Sequence, residues 1–257
     1  MNKTPHSAIR RRLLLGACAL ACLGAASQAD AWDWGRAEQV AGNGNIKRQV
    51  RDVGHFSGVA MALAGKVEVR RGERDGVTVE ADDNLLPLIE TVVEDGTLKI
   101  REKRGANLRT RNLKVFVQAR ELDRLSLGGS GTIEADRVNG ARVQFDIGGA
   151  GSIKVGKVEG ERIVAAIGGQ GDLKADEGNA RTVSISIGGQ GKVDLARVHT
   201  DSANVTVAGM GNATLWVRDS LSLTIAGAGD IGYYGDPQVS KSVLGSGEVR
   251  RLGPSPR

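Results

Sequence analysis

Cysteine is nearly absent from this chain. Only Cys18 and Cys22 occur, both near the N-terminus, so the rest has no material for a disulfide framework, a thiol nucleophile or a cysteine metal site. Aromatic residues make up 3% and histidine occurs three times, which leaves little for a sugar-stacking platform or an imidazole-based site. After Ala26 no apolar run approaches the roughly 20 residues that cross a bilayer as a helix. An excess of one charge is missing too, once the first residues are set aside. Positions 1–29 carry Lys3, Arg10, Arg11 and Arg12 and no acid, so the remainder holds 31 basic and 30 acidic residues, a net charge of +1. The basic stripe that accompanies nucleic-acid binding is therefore not expected.

Those first 29 residues join a basic start to an apolar run, Leu13 to Ala26, and then to small residues. This is the pattern of a secretory signal peptide. Ser27-Gln28-Ala29 and Ala29-Asp30-Ala31 both satisfy the small-x-small rule, so cleavage is expected near 29–31. Arg11-Arg12-Leu13-Leu14-Leu15 loosely resembles a twin-arginine signal, and export before or after folding both stay open. The expected location is the periplasm or the cell surface of a bacterium. Residues 30–52 are polar and without periodicity, a flexible leader by composition. Residues 53–252 are expected to form one domain, with 253–257 as a tail.

Glycine is what the chain has in plenty, with 37 residues, and it is not scattered. A four-residue signature recurs at Gly128–Gly131, Gly148–Gly151, Gly168–Gly171, Gly188–Gly191, Ala208–Gly211, Ala226–Gly229 and Leu244–Gly247. The spacings are 20, 20, 20, 20, 18 and 18. A fixed period of this size means stacked units, none able to bury its own apolar face. It is too short for propeller blades of roughly 40 residues. Between signatures the apolar residues alternate: Val143, Phe145, Ile147; Ile163, Ala165, Ile167; Val183, Ile185, Ile187. Period two means strand with one face buried. Each unit reads as strand, glycine corner, second strand and return, and stacking such units in parallel gives an all-β, right-handed parallel β-helix with about 20 residues per coil. Seven coils about 4.8 Å apart make a prism roughly 30 Å long.

The second and fourth signature positions are Gly in every unit, and the third varies through Ser130, Ala150, Gln170, Gln190, Met210, Ala228 and Ser246. Two physical causes for the invariant glycines are available: a positive φ at the corner, and close approach of stacked corners that leaves no room for Cβ. The third position should point outward. Upstream, VAMAL, KVEVR, VTVEA, TLKI and LKVFV read as strands, with turns at Gly65, Asp75-Gly76 and Asp95-Gly96; NLLPLI is a short helix-like piece held short by Pro87.

Taken in order, Phe56-Ser57-Gly58-Val59, VTVEADDNLLPLIETVVEDGTLKI (77–100), LKVFV (113–117), LSLGGSGTI (125–133), Tyr234-Gly235-Asp236-Pro237 and LGSGEV (244–249) resemble the GIN-domain family, described as putative auto-transporter adhesin heads of exported bacterial proteins. The resemblance spans roughly Val53 to Leu252. It implies a single-domain β-helix and transfers no established catalytic residues.

Enzymatic β-helices need paired carboxylates, or acids with Ca²⁺, on neighbouring outer positions. Along the repeat, Asp146 stands between Ser126 and Ala166, while Asp172 and Asp230 are separated by Lys192 and Asn212. No tight pair emerges there, and His55 and His199 read as separate solvated histidines. Gly168–Leu173 departs from the calcium nonapeptide, its acid one place early, and Gly227–Gly232 matches G-x-G-x-x-G only as the sixth corner. No cofactor, metal or catalytic residue is therefore expected. One outward face stands out: Thr182, Ser184, Ser186; Ser202, Asn204, Thr206; Ser220, Ser222, Thr224; Gln238, Ser240, Ser242. Solvated hydroxyl ladders are ordinary on sheets, yet an uncharged array this deep is also a binding face, with Ser184, Ser186, Asn204, Thr206, Ser222 and Thr224 at its centre. The expected function is that of an exported, non-enzymatic binding or scaffold module, adhesin-like, with a glycan or protein of the envelope or a surface as partner. An enzyme acting on polysaccharide is the alternative.

Overall fold

The computed structural model describes residues 38–110 and 112–256. The expected signal peptide and its expected cleavage near 29–31 lie outside the described residues. Ten shorter strands come first: β1 (Glu38–Ala41), β2 (Ile46–Arg51), β3 (Gly58–Met61), β4 (Gly65–Arg71), β5 (Gly76–Asp82), β6 (Ile89–Glu94), β7 (Thr97–Glu102), β8 (Ala106–Arg109), β9 (Lys114–Ala119) and β10 (Arg124–Leu127). Then come the coils: β11 (Gly131–Ile147), β12 (Ala150–Ile167), β13 (Gln170–Ile187), β14 (Gln190–Val207) and β15 (Met210–Ile225). The closing strands are β16 (Ile231–Tyr234), β17 (Gln238–Val243) and β18 (Val249–Gly253).

Each coil is one long strand that bends twice. In β12 the buried residues are Ile153 and Val155, then Val158, then Ile163, Ala165 and Ile167. The steps of two are interrupted between Val155 and Val158 and again before Ile163, and each interruption is a corner. The coil therefore has three sides, and the expected return is a third strand. Neighbouring coils pair in parallel at an offset of 20, Ile153 with Leu173 and Leu173 with Val193. Inward columns such as Leu127, Ile147, Ile167, Ile187, Val207 and Ile225 fill the centre and are all buried. The molecule is a parallel β-solenoid of about 6 turns.

The invariant glycines turn out to have one of their two expected causes. None of them has a positive φ; that backbone state is confined to Gly44, Gly65, Gly96, Gly105, Gly235 and Gly253, with Asp95 the non-glycine case, among the described residues. These corner glycines keep φ negative, so the expectation of φ > 0 is corrected. Close approach is the cause. A Cβ on Gly171 would collide with the carbonyl oxygen of Gly151 and sit 2.8 Å from Ile147 Cγ2, and one on Gly169 would collide with the Gly149 carbonyl oxygen. The first signature position has space instead: a Cβ on Gly148 or Gly168 meets nothing within 4 Å. That is where the sequence departs from glycine, at Ala208, Ala226 and Leu244. The third position is exposed in every unit from Ser130 to Ser246.

The N-terminal end differs most from expectation. Residues 30–52 were expected to be a flexible leader, but β1 pairs with β8 and β2 pairs antiparallel with β5. Side chains distant in sequence hold them. Asp82 is buried at 2% exposure and its Oδ1 accepts the Gly44 N–H at 2.6 Å; Asn84 Nδ2 donates to the Ala41 carbonyl at 2.8 Å. The upstream strands otherwise fall where alternation places them, and NLLPLI is a single 3-10 turn, Leu86–Leu88. The Asp95-Gly96 turn joins β6 and β7 with both central residues at positive φ, the geometry that suits a two-residue hairpin.

At the other end β17 pairs with β15 alone. Its register places Val239, Lys241 and Val243 beside inward Leu221, Leu223 and Ile225, yet all three are exposed. A lysine in a core column is how an edge strand discourages another strand from adding to it.

Candidate functional site

The three-residue runs before the corners stand in register. Thr182, Ser202, Ser220 and Gln238 form one column; Ser184, Asn204, Ser222 and Ser240 a second; Ser186, Thr206, Thr224 and Ser242 a third. Between them the inward residues Val183, Ile185 and Ile187 are buried, so the array lies on a rigid backing. Ser184, Ser186, Asn204, Ser222 and Thr224 are exposed and Thr206 is half-buried. Ser220 donates to Ser202 at 2.9 Å across the coils. A shallow depression of about 380 Å³, open to solvent, runs over Thr182, Ser184, Ser202, Asn204 and Ser222 and ends at Arg162. Towards the N-terminal end the same columns continue as Arg162, Val164 and Ala166, then Arg142, Gln144 and Asp146. The uncharged character thus belongs to the last four rows.

The adjacent acids and Asn212 serve the backbone. Asp172 Oδ1 accepts the Lys192 N–H at 3.1 Å, Asn212 Oδ1 accepts the Asp230 N–H at 2.9 Å, and Asp230 Oδ1 accepts the Glu248 N–H at 3.2 Å. Each fastens its coil to the next. Among the charged residues on these coils, Lys154 reaches Glu134 at 3.9 Å and Lys174 reaches Asp176 at 2.8 Å. Gly227–Gly232 is followed by strand β16, and Gly168–Leu173 is a corner like its neighbours. Among the described residues no three of His, Cys, Asp and Glu gather where they could hold a metal ion.

A carboxylate pair does exist, outside the repeat columns. Glu68 of β4 stands beside Glu134 of β11, and Lys66 Nζ bridges them at 3.0 Å from Glu68 Oε1 and 2.8 Å from Glu134 Oε2. Counting along the repeat misses this pair because β4 precedes the repeat. Its chemistry is that of an ion-pair network. The hydrogen bond from Lys66 holds the Glu68 carboxyl below its ordinary range, and the same carboxylates raise the Lys66 ammonium. A general acid needs the opposite displacement, towards neutral pH.

The two histidines are also better connected than expected. His55 Nδ1 lies 2.7 Å from Asp75 Oδ2, with Arg120 Nε 3.2 Å from the same oxygen. His199 packs edge-on against Trp216 with ring centroids 4.8 Å apart and planes at 85°. Trp216 in turn stands beside Tyr234, so three scarce rings share one outward column. The expectation that this chain lacks a stacking surface needs correcting. The signal was half legible. Trp216 and Tyr234 are 18 apart, the local period, but His199 and Trp216 are 17 apart because the register slips between Leu195 and His199 and again after Thr200.

These features define a class: a parallel β-solenoid that displays ordered columns of polar side chains on its outer walls. Residues 55–237 match the family described as putative auto-transporter adhesin, head GIN domain, and the chain belongs to that family. Solved structures share the fold. A putative adhesin from Bacteroides fragilis superposes with a TM-score of 0.78 at 19% identity, covering 83% of this chain and 100% of its own. A putative lipid binding protein from Parabacteroides distasonis gives 0.65 at 23%, covering 84% and 100%. A putative adhesin from Parabacteroides merdae gives 0.65 at 20%, covering 83% and 99%. No match is found among curated proteins.

Proposed function

We propose that this protein is an exported, non-catalytic, adhesin-like module of the bacterial envelope or surface, binding through the wall formed by its last coils. The observation that carries the reading is the hydroxyl and amide array, in register over three columns and four rows and backed by buried aliphatics. Such a face offers many neutral donors and acceptors at fixed positions and loses little side-chain entropy on binding. Membership in an adhesin-head family supports the reading, as does the ion-paired state of the Glu68–Glu134 pair. No helix among the described residues is long and apolar enough to cross a membrane. Export by the N-terminal signal is part of the proposal, and the mass of protein purified from the producing cell should place the new N-terminus at Asp30 or Trp32.

The direct test replaces Ser184, Thr206 and Ser222 together with Lys. Outward positions tolerate such changes within about 0.5 kcal/mol each, so the fold should survive. Material captured from the cell's own envelope fraction should be lost. Capture unchanged by the triple substitution retires this face. The alternative, hydrolysis of a polysaccharide at Glu68 and Glu134, predicts turnover that Glu134→Gln abolishes.

A further inference from the structure

The column of rings on the neighbouring face is not absorbed by the hydroxyl array. It runs Asn179, His199, Trp216, Tyr234 and Gly253 through successive coils. Trp216 lies outward between buried Leu215 and Val217, which fixes its place without covering it. Gly253 follows Tyr234 with no side chain of its own, so no side chain extends the column past the last ring. The three rings are partly exposed and follow one another at the strand spacing of about 4.8 Å, and Trp216 and Tyr234 are two of the chain's eight Phe, Trp and Tyr residues.

The corner beside the rings is polar and balanced in charge. Arg218 is held between two carboxylates, 2.9 Å from Asp201 Oδ1 and 2.9 Å from Asp219 Oδ1. Arg218 raises no net positive field, because the two acids flank it; on the other side Arg251 lies 3.7 Å from Asp236. An anionic lipid surface or a nucleic acid would require an excess of cations. An apolar partner would leave these ion pairs desolvated at a cost. A ligand that suits both elements has a flat C–H-bearing face for the rings and hydroxyls at its rim for the carboxylates and the guanidinium. Aromatic side chains with a few fixed polar groups are the ordinary lining of such a site.

We propose that Trp216 and Tyr234, with His199 packed edge-on against Trp216 to hold its ring in place, form a platform on which a neutral glycan chain lies along the solenoid axis, with Asp201, Arg218 and Asp219 binding its hydroxyls. The proposal deepens the reading of the protein as a binding module by naming a ligand class, but it places the contact on a different face from the hydroxyl array. The two can therefore fail separately.

The test is affinity electrophoresis through gels holding hydroxyethyl cellulose, glycol chitin or dextran, with co-sedimentation on purified peptidoglycan and on phosphatidylcholine vesicles. The wild-type protein should be retarded by at least one glycan or sediment with peptidoglycan. Trp216→Thr and Tyr234→Thr, which keep a strand-forming residue, should each weaken that binding roughly tenfold, and Trp216→Phe should retain most of it. Thermal melts show whether each variant is folded, and glycan-induced quenching of tryptophan fluorescence that is lost in Trp216→Phe, which keeps Trp32 and Trp34, gives a second readout. The Ser184, Thr206 and Ser222 to Lys variant should still bind. Failure both to be retarded by any glycan and to sediment with peptidoglycan, binding that survives both threonine variants, or binding to vesicles alone would each overturn the platform.

Discussion

Gly168 and Gly171 are three residues apart in one signature, yet a methyl group should act on them in opposite directions. At Gly171 the new Cβ runs into the Gly151 carbonyl oxygen and lies 2.8 Å from Ile147 Cγ2 and 3.4 Å from the Gly151 carbonyl carbon. Two of these three atoms are backbone, in a ladder where Gln170 N–H donates to the Gly149 carbonyl at 2.9 Å. Neither can swing aside as the end of a long side chain could. The coil must lift off the one below or the Gly151 peptide must tilt. Overpacking of this kind costs about 1–3 kcal/mol, and the lower entropy of an unfolded alanine returns only about 0.4–1 kcal/mol. At Gly168 the Cβ meets nothing within 4 Å and φ is not in the left-handed region. Only the unfolded-state term remains there, so Gly168→Ala should stabilise by about 0.4–1 kcal/mol. For a domain of this size each kcal/mol is about 2–4 °C in Tm. Gly171→Ala should therefore melt several degrees below the wild type and Gly168→Ala slightly above it. Urea and thermal midpoints on the two purified variants decide it. Equal midpoints, or a loss at Gly168 as large as that at Gly171, would refute close approach as the reason these glycines recur.

Two further outcomes follow from the ends of the solenoid. Asp75 has a side chain only 7% exposed; burial pushes its carboxyl up, but the Arg120 backbone N–H, His55 and the Arg120 guanidinium together outweigh this and hold it below its ordinary range. A lowered folded value means the stabilisation is complete above about pH 4 and is lost as pH falls through that lowered value. Asp75→Asn should cost about 1–3 kcal/mol at pH 7, and its urea midpoint should converge on the wild-type midpoint in acid; a gap that persists or widens at pH 3 contradicts the assignment. Lys241→Val restores an apolar residue to the exposed edge column, and sedimentation velocity should show self-association where the wild type shows less; identical profiles would mean Lys241 does not guard that edge.

Much of this molecule follows from arithmetic on its sequence. Once the coils stack in parallel at a fixed offset, every inward and outward column is set, because side chains alternate and a one-residue slip would turn the core outward. The columns through Ser184, Asn204 and Ser222, the place of Lys154 beside Glu134 and the outward Gln170 were all legible for that reason. The variable first glycine and the invariant second were legible as a pattern but not as a cause, since a clash between coils exists only when the coils are stacked. Tertiary structure alone decided the rest. β1 and β2 carry no periodicity because each is held by a partner far along the chain, β8 and β5, and by buried Asp82. Glu68 meets Glu134 because a strand outside the repeat takes the place of a coil. His199 meets Trp216 because the offset between coils drops from 20 to 17 at a corner and returns to 18 after Thr200, and the sequence records only the net loss of two residues, not where the backbone absorbs it.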